Sequence, residues 1–151
     1  MMIRDDIKAA TIASMKAGTS ARTGTLRLIS AALKNKDIEL RTGTAPADDN
    51  VLVADVLSKM AKQRRESIEM FTTGNRPELA AAEAAELAII EGFMPAQLSA
   101  ENAKEAIAAL VAELGATSVK DMGRVMAAVK ERFAGQLDMG AAGGMVKAAL
   151  A

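Results

Sequence analysis

Lys62, Arg64 and Arg65 crowd into a segment, residues 59–65, that also carries Lys59 and holds no acid. Guanidinium groups engage phosphate oxygens bidentately, so this is the sharpest candidate for contact with a nucleic-acid backbone. Ordinary helix pairing is the competing explanation, because Lys62 and Glu66, and Arg65 and Glu69, are four residues apart. Arg64 stands apart from both. It lies four residues from Met60 and four from Ile68, on an apolar stripe, where a guanidinium needs a carboxylate, a carbonyl or a ligand. Glu86 or Glu91, in a segment (78–91) that contains acids and no base, is the expected carboxylate. Lys120 and Arg124 form a second pair four residues apart, on the side of a helix opposite Met122, Val125, Met126, Val129 and Phe133. They are expected to be exposed near a helix start, whose free amides add positive potential, and so to suit an anion or an RNA backbone.

Much other chemistry is excluded by composition. The 151 residues contain neither cysteine nor histidine, which removes disulfides, thiolate nucleophiles, hydroxyl–imidazole pairs and zinc sites built on sulfur or imidazole. Catalysis would fall to carboxylates, lysines, hydroxyls or a carboxylate-bound magnesium. The adjacent acids Asp5 and Asp6, and Asp48 and Asp49, are better explained as helix-start residues than as proton-transfer pairs. Thr19 to Thr25, flanked by Gly18 and Gly24, lacks the glycine-lysine-hydroxyl ending of a phosphate loop and reads as a turn with a helix cap. No catalytic residue, metal site or cofactor is assigned. With no tryptophan or tyrosine, and with Phe71, Phe93 and Phe133 beside apolar faces, base stacking is not expected. Nineteen cations balance nineteen acids, which gives no global pull toward nucleic acid, and DNA is not an expected partner. Met1 to Asp6 places acids where a signal peptide needs a basic segment, and no apolar run reaches membrane-spanning length, so the cytoplasm is the expected location.

An all-α fold must position these residues, because alanine, leucine, methionine, lysine and glutamate dominate and β-branched runs are scarce. Ile3, Ile7 and Met15 trace a first helix that Gly18 can end; Thr19 or Ser20 can cap a second, with Leu26, Ile29, Leu33 and Leu40 near helical spacing. Gly43 and Pro46 interrupt it. A long third helix, capped by Asp48, Asp49 or Asn50, carries Val53, Val56, Leu57, Met60, Ile68 and Phe71. Gly74 and Asn75 stop it, and Pro77 opens an alanine-rich fourth that ends near Gly92. Pro95 marks a boundary, since it lacks an amide donor and disfavours helix in the residue before it. Beyond it Ser99 caps a helix with Ala103, Ile107, Leu110, Val111 and Leu114, closed by Gly115. Ser118 with Asp121 approximates a capping box, and Asp138 can cap a last helix weakened by Gly140, Gly143 and Gly144. Gly123 is expected to serve close helix packing, and Met122, Met126 and Met145 to fill core.

Phe93-Met94-Pro95-Ala96-Gln97-Leu98-Ser99 and Gly115 through Met126 resemble the hinge and first two helices of the small helical domain of the GatB/YqeY family. Met15-Lys16-Ala17-Gly18, Thr25 to Ile29, Ala31 to Asn35 and Lys62 to Ile68 resemble free-standing YqeY proteins, in the same order. The resemblance implies an amino-terminal helical domain of about four helices over 1–93. It also implies a three-helix domain over 95–151 like the tail of the GatB subunit of tRNA-dependent amidotransferases. It further implies association with tRNA or a translation-related protein, and a family-level label of carbon–nitrogen ligase with glutamine as amide donor. No counterpart of the amidotransferase catalytic domain is present in these residues, so a binding or accessory role leads, with an accessory part of such a ligase or a purely protein-binding module as alternatives. Two positions depart from the family pattern. Leu137-Asp138-Met139-Gly140-Ala141 lacks a basic residue before the last helix, and Ala127 stands where a glycine is common.

Overall fold

The chain is described as a computed structural model covering residues 2–151; Met1, part of the segment weighed above against a signal peptide, lies outside the described residues. Seven α-helices and no strand occur among those residues. They are α1 (Ile3–Ala17), α2 (Ser20–Glu39), α3 (Asp49–Thr73), α4 (Pro77–Glu91), α5 (Ala100–Leu114), α6 (Met122–Arg132) and α7 (Met139–Leu150). Short 3-10 turns occupy Leu40–Thr42 and Val119–Asp121. The helices group into two compact units, one running through Met94 and the other Pro95–Ala151.

In the first unit the apolar spacing becomes a core of Ile7 from α1, Leu26, Ile29 and Leu33 from α2, Leu52, Val53, Val56, Leu57, Met60 and Ala61 from α3, and Ile90 from α4. Leu40 falls on the 3-10 turn rather than on α2, yet still packs against this cluster. The predicted stripe of α3 fades along its length: Val53 and Leu57 are fully buried, whereas Ile68 and Phe71 are half-buried. Asp48 caps α3 by accepting the Asn50 amide at 2.9 Å. Asn50 serves the neighbouring helix instead, since its Oδ1 accepts the amide of Ile3 at 2.9 Å and satisfies one of the free donors at the start of α1. Asp5 lies in that first turn with Asp6, where the helix dipole favours acids. Thr19 sits at the cap position of α2 but turns its hydroxyl back to donate to the Ser14 carbonyl at 3.2 Å, so no side chain caps that helix. Gly18 ends α1 in the left-handed region (φ 72°), a conformation that a Cβ opposes.

The second unit closes around Ala103, Ile107, Leu110, Val125, Val129, Leu137, Ala142, Val146 and Leu150, with Met122, Met126, Met145 and Phe133 half-buried against it. Its helix ends follow the sequence closely. Ser99 accepts the Asn102 amide at 3.1 Å, Gly115 is left-handed at φ 64°, and Asp138 accepts the Gly140 amide. The capping box of Ser118 and Asp121 forms, but on the 3-10 turn that leads into α6.

Glycine 123 departs from expectation. A Cβ built there meets nothing within 4 Å, so close packing does not require it. Gly144 within α7 is equally open. Gly144→Ala is therefore expected to stabilise the chain by about 0.5–1 kcal/mol, the ordinary gain of alanine over glycine in a helix interior. A rise in urea midpoint at unchanged slope would show it, and a fall would place an unseen constraint on that backbone.

Candidate functional site

Two cations of the basic cluster on α3 are drawn into interhelical pairing, while Lys59 pairs with Asp55 on its own helix. Arg64, its side chain 16% exposed, donates from Nε to Glu86 Oε2 at 2.8 Å, while Glu83 Oε2 lies 3.5 Å from the same nitrogen. Of the two carboxylates expected for Arg64, Glu86 takes the role and Glu91 does not. Glu91 pairs with Arg65 at 3.4 Å, so Arg65 reaches across to α4 rather than to Glu69 along its own helix. Glu83 enters without having been foreseen. Its Oε2 is buried and accepts no hydrogen bond, and the Arg64 guanidinium charge lies beside it. Lys62 is exposed beside this ladder.

Lys120 and Arg124 are both exposed, as their helical angle requires. Their chemistry nevertheless diverges. Arg124 donates from Nη1 to the Leu114 carbonyl at 2.7 Å and from Nη2 to Asp121 at 3.3 Å, fastening the end of α5 to the start of α6. Its guanidinium satisfies one of the free carbonyls at a helix end. Asp121 accepts the amides of Thr117 and Ser118, and the Thr117 amide first, then the Arg124 guanidinium, hold its carboxyl below the usual range. Lys120 has no ion-pair partner among the described residues.

A further clasp was not singled out by spacing. Arg4 presents Nε and Nη2 to the two oxygens of Asp49, at 2.9 and 3.0 Å, and Nη1 and Nη2 to those of Asp37, at 3.0 and 3.1 Å, so one guanidinium joins α1, α2 and α3. The Arg4 bond is the main cause of an Asp49 carboxyl held below its usual value. A carboxyl lowered in the folded state adds stability that is complete above its unfolded value, near ~3.9, and disappears as pH falls through the lower folded value. Asp49→Asn is accordingly expected to destabilise at neutral pH and to match the parent chain progressively below about pH 4. Urea midpoints at neutral pH and near pH 3 test this; a penalty independent of pH would refute it. In the second unit, Arg132 and Glu113 form a bidentate exposed pair.

With the clustered cations engaged, exposed positive charge collects elsewhere. The α1–α2 hairpin from Ile7 to Lys36 holds Lys8, Lys16, Arg22, Arg27, Lys34 and Lys36 and no acid, where the average acid density of this chain would place about four. All but Lys36 are exposed, and Lys36 contacts Glu39 at 3.5 Å. Lys16, Arg22, Arg27 and Lys34 have no partner among the described residues. A surface cleft of about 390 Å³ opens in this hairpin, bounded by Met15 of α1 and by Ser20, Gly24 and Arg27 of α2. The signal is present in the sequence as a long acid-free run, but its cations are spread too thinly to form a cluster at any one point. Among the described residues no group of acids is placed to hold a metal ion, and no helix is long and apolar enough to cross a membrane.

Comparison with known proteins places this arrangement. The family model described as Yqey-like protein matches residues 3–150. Proteins named "Altered inheritance of mitochondria protein 41, mitochondrial" are similar to the chain over three-fifths of its length. That of Eremothecium gossypii is 33% identical over 94 residues, 62% of this chain and 48% of that protein. The Saccharomyces cerevisiae protein is 33% identical over 93 residues, 62% of this chain and 46% of that protein. The Lachancea thermotolerans protein is 32% identical over 92 residues, 61% and 46% respectively. The chain thus spans about half the length of the curated relatives it matches. A family match that runs from the first turn of α1 to the last residue of α7 is decisive: the chain belongs to the Yqey-like protein family.

Proposed function

We propose that this protein is a non-catalytic accessory module of tRNA metabolism or translation, acting in the cytoplasm by holding RNA through its backbone without reading sequence. The observation that carries this reading is the division of labour among the charged groups. Acids that could serve a reaction are engaged in holding helices: Glu86 on Arg64, Asp49 and Asp37 on Arg4, Asp121 at a capping box and Asp48 at a helix start. Lys8, Lys16, Arg22, Arg27 and Lys34 of the α1–α2 hairpin remain exposed to solvent. Proteins that neutralise phosphates with surface lysine and arginine need no more than this. The tRNA connection comes from the resemblance to the amidotransferase tail.

Incubating the full chain with glutamine, ATP and glutamate-charged tRNA tests the reading in one reaction. Retention of tRNA on the immobilised chain with no amide formed is expected. Amide formation would make it a carbon–nitrogen ligase acting on its own, and failure to retain tRNA would leave a module that binds protein alone.

A further inference from the structure

We propose that the acid-free face of the α1–α2 hairpin is the surface that holds the phosphodiester backbone of a folded RNA, with Arg27 and Lys34 at its centre; this rests on the RNA-binding reading above. Arg27 and Lys34 are seven residues apart, two helical turns, and therefore share one exposed stripe of α2 about 10 Å apart. Neither has a partner among the described residues, so binding a phosphate breaks no existing pair. Lys16, in the last turn of α1, and Arg22, in the first turns of α2, carry the same charge around the head of the hairpin. Because no acid interrupts the run, the fields of these cations add.

The cleft beside Arg27 points the same way. Apart from Met15, its wall is hydroxyl, glycine and guanidinium, which suits phosphate and ribose oxygens better than the apolar seam of a docking helix. Glycine at position 24 destabilises the interior of α2 relative to alanine, yet a Cβ there would meet nothing within 4 Å. Openness alone marks nothing, since Gly123 and Gly144 share it, but Gly24 borders a cleft next to an unpaired guanidinium, where approach from outside brings a partner close to the backbone. The aromatic residues lie on other elements, at Phe71, Phe93 and Phe133, so backbone contact rather than base stacking is the mode.

The test is fluorescence anisotropy of the full chain with bulk tRNA, duplex DNA of matched length and poly-L-glutamate, across a salt series. One variant carries Lys16→Gln, Arg22→Gln, Arg27→Gln and Lys34→Gln. An equal-charge control carries Arg76→Gln, Lys104→Gln, Lys130→Gln and Lys147→Gln. All eight side chains are exposed and unpaired among the described residues, so both variants should keep the parent's helical melting curve. The hairpin variant is expected to bind tRNA at least about tenfold more weakly, with a log–log salt slope smaller by about 3, while the control changes less than about threefold. Full binding by the hairpin variant, or equal loss in the control, overturns the face and leaves the RNA-binding reading standing. If the parent chain does not bind tRNA, that underlying reading fails and the face fails with it. Equal affinity for duplex DNA or for poly-L-glutamate overturns the assignment to RNA.

Discussion

Leu57→Ala is expected to destabilise the amino-terminal unit by about 2–5 kcal/mol, the largest single effect among these substitutions. Leu57 is fully buried at the centre of α3, in the cluster that also holds Ile29, Leu33, Val53, Met60 and Ile90. Truncation removes the transfer free energy of the lost methyl groups and leaves a cavity that helices on several sides cannot fill without moving. The upper half of the range applies if the surrounding helices stay rigid, and the lower half if α4 settles inward. Small single domains retain only about 5–15 kcal/mol in total, so the loss would show as a large fall in urea midpoint. Ile107→Ala is the corresponding change in the second core, where Ile107 packs with Val125, Val129 and Val146. A loss below about 1 kcal/mol at Leu57 would mean that the apolar stripe of α3 does not form the centre of this unit.

Arg64→Met is expected to cost about 2–3 kcal/mol, because it strands two carboxylates beside an apolar stripe. Glu86 loses a hydrogen bond of 2.8 Å, and Glu83, whose buried oxygen already lacks a hydrogen bond, loses the guanidinium 3.5 Å from it. Methionine keeps most of the side-chain volume, so the cost reports the charge rather than a cavity. Glu86→Gln should cost more than Glu83→Gln, since only Glu86 accepts the guanidinium N–H. A double-mutant cycle over Arg64 and Glu86 should return a coupling of about 1 kcal/mol or more. A neutral Arg64→Met would release Arg64 from its structural role and return it to the list of ligand-binding groups.

These two cases show what spacing reveals and what it hides. The core of α3 was legible because Val53, Val56, Leu57 and Met60 repeat at helical period, and helix ends were legible wherever glycine or a short polar side chain has one favoured conformation, as at Gly115 and Ser99. The need of Arg64 for a partner followed from its place on that stripe. Which glutamate meets it depends on the register of α4 against α3, and Pro77–Glu91 is too uniformly apolar to declare a buried face: Ala81, Ala84, Ala85 and Ala88 are exposed while Ile90 is buried. Register likewise decides that Arg4 meets Asp37 and Asp49, residues more than thirty positions away. Arg124 illustrates a different limit. Its exposed angle was correct, yet its bond to the Leu114 carbonyl depends on how the Gly115 turn folds back, which periodicity does not encode. The acid-free hairpin lay in plain sight but is diffuse, and its significance emerges once the denser clusters are seen to be spent on ion pairs.

The central claim, that the exposed cations of this chain hold an RNA backbone, is tested most directly by one titration of the full protein with bulk tRNA at about 50 mM and about 200 mM salt. With four phosphate contacts, affinity is expected to fall roughly 50- to 150-fold between the two conditions. Binding that is absent at the lower salt, or that is unchanged at the higher, would contradict it.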